Sequence, residues 1–94
     1  MRAARIDANQ PEIVAGLRAI GATVQPLHTV GKGCPDILVG YRGRNYLIEI
    51  KDGRKPPSAR MLTPDQDEWH GEWRGQVTVA SSLEDALCIV GAMR

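Results

Sequence analysis

Cysteine is scarce in this 94-residue chain: Cys34 and Cys88 are the only two. That is too few for the disulfide scaffold on which small secreted domains rely, so a reducing, cytoplasmic setting is the simpler expectation. With His28 and His70 they would make four zinc ligands, but no C-x-x-C or H-x-x-x-H pairing exists. Free thiols are therefore expected rather than structural zinc. Long apolar runs are missing too, and nothing approaches the ~18–20 residues a membrane span requires. The opening Met1-Arg2-Ala3-Ala4-Arg5 has two positive charges with no apolar stretch behind them, which argues against a secretory signal. Gly31-Lys32-Gly33 lacks both the upstream glycine and the following Ser/Thr of a phosphate loop, so no nucleotide cofactor is expected. Repeats, low-complexity tracts and long linkers are absent, and residues 1–94 read as one domain.

What is present suits a small globular fold. Hydrophobic residues are 43% of the chain and charged residues 24%, a balance far from that of disordered chains. A chain this short buries only about two-thirds of its unfolded surface, so its core is thin. The net charge of +1 hides an asymmetry. Residues 1–60 carry 10 basic and 5 acidic side chains, and residues 61–94 carry 2 and 6. Arg42, Arg44, Lys51, Arg54, Lys55 and Arg60 crowd one stretch, as expected either for a polyanionic partner or for an ordinary solvated loop.

The pattern predicts the order α-β-β-β-α-β-α. Asn9 and Glu12 are spaced as a capping box for a helix over about residues 10–20, with Pro11 in its first turn, an apolar stripe of Ile13, Val14, Leu17 and Ile20, and Gly21 to end it. Residues 22–28 read as a short strand, where Pro26 argues for an edge position. A glycine-rich loop, residues 29–35, leads to a β-hairpin of residues 36–41 and 46–51 around the turn Arg42-Gly43-Arg44-Asn45. Residues 52–60, with Gly53, Pro56 and Pro57, read as a mobile loop. Thr63, Pro64 and Gln66 then open a second helix ending near Gly75, residues 76–80 form a fourth strand, and Ser81 with Glu84 caps a last helix. These elements predict an α/β fold, a four-stranded mixed sheet covered by helices, with a right-handed crossover from the third strand through the second helix to the fourth.

The hairpin carries unexpected charge. Buried strands of a small mixed sheet normally read as Val, Ile and Leu, yet Asp36 opens one strand while Glu49 and Lys51 close its partner. A turn centred between Gly43 and Arg44 sets Asp36 opposite Lys51 and Leu38 opposite Glu49, so the three charges share one face at one end of the sheet. A slip of one residue would separate them. Adjacent carboxylates repel unless a positive group lies between them, and an all-oxygen site suits Mg²⁺ or Mn²⁺. The plain alternative is a cross-strand Asp–Lys ion pair beside a solvated Glu49.

Pro35-Asp36, twelve further residues, then Glu49-Ile50-Lys51 resembles the motif of the PD-(D/E)XK nuclease superfamily. More narrowly, the chain resembles the small stand-alone VRR-NUC nucleases of bacteria and their phages. The likeness runs from the Asn9–Glu12 helix start through the glycine loop to Leu62-Thr63-Pro64-Asp65-Gln66 and Trp69, although the Val-Arg-Arg run that names the family is absent. The resemblance implies a restriction-endonuclease-like core in which Asp36, Glu49 and the backbone carbonyl of Ile50 bind the metal. Lys51 would then assist the attack of water, Glu12 would add a helix carboxylate, and Gln66 would stand near the site. Gln66 otherwise only closes a capping box with Thr63. Trp69 and Trp73, spaced i, i+4, read as a packing face; His28 is expected to be a surface histidine, and Cys34 is assigned no role.

The expected activity is divalent-metal-dependent hydrolysis of DNA phosphodiester bonds. Lys32, Arg42, Arg44, Arg54 and Lys55 would hold the phosphate backbone. The resemblance further implies a homodimer acting on four-way or related branched DNA, and pairing would also relieve a thin core. An inactive DNA-binding module of the same fold, or a partner-binding domain with ordinary ion pairs, are the alternatives.

Overall fold

A computed structural model describes residues 6–94; the Arg2 and Arg5 charges of the opening segment lie outside the described residues. The elements follow the expected order: α1 (Gln10–Ala19), β1 (Thr23–Pro26), β2 (Ile37–Tyr41), β3 (Arg44–Ile50), α2 (Pro64–Glu72), β4 (Thr78–Ala80) and α3 (Leu83–Ile89). The sheet runs β1-β2-β3-β4, with antiparallel pairs up to β3 and a parallel β3–β4 pair. β1 is an edge strand, which suits Pro26, and α2 joins the parallel neighbours β3 and β4. Among the described residues no helix is long and apolar enough to cross a membrane.

The core is aliphatic. Ile13 and Leu17 of α1, Ile37 and Val39 of β2, Ile48 and Ile50 of β3, Ala80 of β4, and Ala86 and Val90 at α3 form one buried cluster. Each fully buried Ile, Leu or Val contributes roughly 1.5–3 kcal/mol. The chain has no phenylalanine, and both tryptophans lie outside this cluster. Because side chains alternate along a strand, Ile48 and Ile50 face α1 and α3 while Leu47, Glu49 and Lys51 face the other side. There, Gln66 and His70 of α2 approach Glu49.

Four local expectations are corrected. The hairpin turn contains two residues, not four: Arg42 (φ 50°) and Gly43 (φ 77°) both adopt the left-handed conformation, as a type I′ turn requires. Arg44 and Asn45 are thereby drawn into β3, and Ile37 pairs with Ile48. Continued one step, this register sets Asp36 opposite Glu49 rather than Lys51. The displacement is an even number of residues, so the charges keep their common face. Second, Asn9 does not cap α1. Its backbone is already helical (φ −85°, ψ −5°), no side-chain cap forms with Glu12, and its amide points into the protein. Third, residues 52–60 have local order of their own: Asp52 Oδ1 accepts the Arg54 N–H at 3.0 Å, and Pro57–Arg60 form a 3-10 turn. Fourth, the α3 cap lies one residue later than expected, with Ser82 accepting the Asp85 N–H at 3.1 Å. Ile20, the last of the α1 stripe, is 36% exposed beyond the helix.

Candidate active site

The site is assembled at the end of the sheet remote from the hairpin turn. Leu27 N–H donates to the Asp36 carbonyl at 2.8 Å, closing the glycine loop at its base. Within that loop Gly31, Lys32 and Gly33 all have positive φ. Gly33 packs so closely on the Asp65–Gln66 peptide that a Cβ would collide with the Asp65 carbonyl. The loop thus ties the strand carrying Asp36 to the first turn of α2. Asp36 Oδ2 accepts the Ile50 N–H at 2.7 Å. Since the N–H and C=O of one strand residue point to the same flank, the Ile50 carbonyl also faces Asp36.

Glu49 is 1% exposed. Burial and then the adjoining Asp36 carboxyl group push its carboxyl group up to about 9, against the attraction of Lys51. Gln66 Nε2 donates to Glu49 Oε2 at 3.2 Å, while Gln66 Oε1 accepts from Lys51 Nζ at 2.7 Å. The same Oε1 accepts the Thr63 N–H at 2.9 Å, and Thr63 Oγ1 accepts the Gln66 N–H at 3.3 Å. Helix capping and the bridge between Glu49 and Lys51 are therefore two functions of one amide. Asn9 Nδ2 donates to the carbonyls of Lys51 at 3.0 Å and Ser81 at 3.3 Å, pinning the backbone beneath Lys51.

The structure brings Asp36, Glu49, Ile50, Lys51 and Gln66 together, and it does not bring Glu12. That residue lies on α1, over the opposite face of the sheet, and lines a separate cavity of about 440 Å³ with Asp52, Arg54 and Arg60. Among the described residues no three His, Cys, Asp or Glu side chains are grouped as a metal site. The expected basic contacts are dispersed. Arg54 Nε and an Nη hold the two oxygens of Asp52 at 3.0 and 3.1 Å; these bonds lower the Asp52 carboxyl and raise the Arg54 guanidinium. Lys55 Nζ is 4.0 Å from Asp7. Lys32 shares a small cavity with Asp65, Glu68 and Glu72, a poor setting for phosphate. Arg42 and Arg44 are at the hairpin tip, roughly 15–20 Å along the strands from Asp36.

Three neighbours were not expected. His70 Nε2 is 3.7 Å from Glu49 Oε1, and burial pushes its imidazole down, with Asp67 opposing. Its position four residues after Gln66 on the same helix face was readable from the sequence. The Asp7 carboxyl is raised by burial and then by Asp36, with Lys51 and Lys55 opposing. The Cys34 thiol is raised by burial, then by Glu49 and Asp36, so its nearness to the site is spatial as well as sequential. Cys88 is exposed on α3. His28 lines a different, mainly apolar cavity with Ile6, Gln10 and Val14.

The donor set fits a hard divalent cation. Glu49 Oε1 is buried without a hydrogen-bond partner, beside the Asp36 carboxyl group and the Ile50 carbonyl, an all-oxygen set of the kind such a cation takes.

Paired carboxyl groups and a lysine thus stand at the end of the central hairpin of a mixed sheet. A solved structure described as a VRR_NUC domain matches with a TM-score of 0.62 and 28% sequence identity, over 86% of this chain and 88% of that one. No protein-family model and no curated protein matches. The chain has the fold of the VRR-NUC family.

Proposed function

We propose that this nuclease-like domain is a divalent-metal-dependent DNA endonuclease. The observation that carries the reading is the buried Glu49 beside Asp36, with Gln66 joining Glu49 to Lys51. Asp36, Glu49 and the Ile50 carbonyl would hold Mg²⁺ or Mn²⁺. Such a cation supplies Lewis acidity toward a phosphoryl oxygen and lowers the pKa of a ligated water. The Lys51 ammonium, directed by Gln66, offsets negative charge growing on a phosphate oxygen or orients the water that attacks phosphorus. α2 bears Asp65, Asp67, Glu68 and Glu72, so the DNA backbone approaches from the Arg54 and Lys55 side. Contacts of that kind carry no base code, which favours substrates distinguished by shape, four-way or branched DNA among them, cut by a homodimer.

The test is cleavage of linear duplex, single-stranded, flap and four-way-junction DNA with Mg²⁺, Mn²⁺ or EDTA, beside Asp36→Ala and Lys51→Ala. Metal-dependent cutting lost in both variants supports the nuclease, and concentration on the junction supports the branched substrate. Full activity in a folded Asp36→Ala protein rules the mechanism out. Tight, salt-sensitive binding without cutting would make the domain a DNA-binding module. A light-scattering mass of one chain at working concentration would exclude the dimer.

A further inference from the structure

Two buried polar atoms face each other without hydrogen-bond partners: Glu49 Oε1 and His70 Nε2, 3.7 Å apart. This is too long for a hydrogen bond. It is also too close, with the His70 side chain only 14% exposed, for either atom to be served by bulk solvent. The opposite oxygen, Oε2, is already held by Gln66 Nε2. Gln66 and His70 are one turn apart on α2, so a single helix offers one donor to each oxygen of the same carboxylate.

The ring is also held in place. Trp69 meets His70 edge-on, with centroids 6.1 Å apart and planes at 71°, and Trp73 stacks on Trp69 at 4.6 Å and 19°. The i, i+4 tryptophans, absent from the hydrophobic core, thus form a brace beside His70.

We propose that His70 is a positioning residue for Glu49: its Nε2–H donates to Glu49 Oε1 and fixes the carboxylate plane that receives the cation. The inference rests on the metal-dependent reading above. When a cation is bound, Glu49 is ionised and Oε1 needs a donor. Each carboxylate oxygen has two lone-pair directions, so Oε1 can face the cation and the imidazole together. A small rotation of Glu49 closes the gap to the roughly 2.8 Å of a charge-assisted bond. Gln66 and His70 then form a two-point clamp, and His70 makes no contact with the substrate.

The test is Mn²⁺ titration by calorimetry on the whole chain, comparing wild type, Asp36→Asn, His70→Phe and His70→Gln. His70→Phe keeps a ring against Trp69 but removes the donor; the expected result is a roughly tenfold loss of Mn²⁺ affinity, the size of one hydrogen bond to a charged group. His70→Gln restores a donor and recovers most of that affinity. Unchanged affinity in His70→Phe overturns the proposal. Equal loss in His70→Gln and His70→Phe overturns it too, because an amide replaces a donor but not a nitrogen ligand. Should His70→Phe fail to fold, ¹⁵N shifts of the wild-type ring with Mg²⁺ decide: a protonated Nε2 supports the proposal and a bare one refutes it. Absence of Mn²⁺ binding by the wild type, or binding unaffected by Asp36→Asn, would instead remove the metal reading itself.

Discussion

Lys51 Nζ and Gln66 Oε1 are joined at 2.7 Å, and through that single bond a sheet strand and a helix cap share one side chain. Truncation at Gln66 is therefore expected to reach both. Gln66→Ala should cost about 1–2 kcal/mol from the lost cap and buried bonds, and it should also lower cleavage by releasing Lys51. Gln66→Glu should retain the bond to Lys51 but crowd a third carboxylate against Glu49. That variant is expected to be less stable than wild type in EDTA and to gain more from added Mn²⁺. Thermal melts with and without metal separate the two outcomes.

The raised Glu49 carboxyl links stability to pH. Its folded pKa of about 9 lies above the ordinary value of 4.5, so between these values the folded chain keeps a proton that the unfolded chain has lost. The stability contributed by the neutral group is full below about pH 4.5 and is lost as pH rises toward 9. Urea titrations in EDTA at pH 5, 7 and 9 should show this decline, and Glu49→Gln should flatten it.

Gly33 is irreplaceable for two reasons, a φ of 80° and contact with the Asp65 carbonyl. Gly33→Ala should cost at least about 1–3 kcal/mol in backbone strain and shift the start of α2. Circular dichroism should show the sheet retained, while cleavage falls more than the melting temperature alone explains.

Asn9 contributes a buried clamp rather than a helix cap. Asn9→Asp replaces its donor by a carboxylate beside the carbonyls of Lys51 and Ser81, and a loss of about 1–3 kcal/mol is expected. Were Asn9 only a cap, Asp would serve equally well and the melting temperature would hold.

Much of this fold was readable because its signals are local. Apolar periodicity, Pro at helix starts and glycine near chain reversals fixed the order of elements. The hairpin register was misread because Arg42-Gly43 forms a turn more often advertised by Asn-Gly, and an even displacement left the face of Asp36 and Glu49 unchanged. Glu12 stands apart from the Asp36–Glu49 cluster for a tertiary reason: Asn9 turns its amide toward the end of β3, and α1 covers the opposite face of the sheet. His70 was within reach of the sequence as the residue four after Gln66. Asp7 and Cys34 were not, since their approach depends on the paths of loops.

The Gln76 side chain covers part of an otherwise open strand edge. β4 has three residues against the seven of β3, so β3 is an inner strand at its Glu49 end and an open edge toward the hairpin. Gln76 Oε1 accepts the Leu47 N–H at 2.7 Å and its Nε2 donates to the Leu47 carbonyl at 2.9 Å, acting as one extra rung of the missing strand. Beyond it come Arg44 and Asn45, polar residues on the remaining rim. An uncovered strand edge invites pairing with another chain and growth into aggregates. One amide thus covers the exposed rung of β3 beside β4, while the opposite end of the strand, with Glu49, stays under α2.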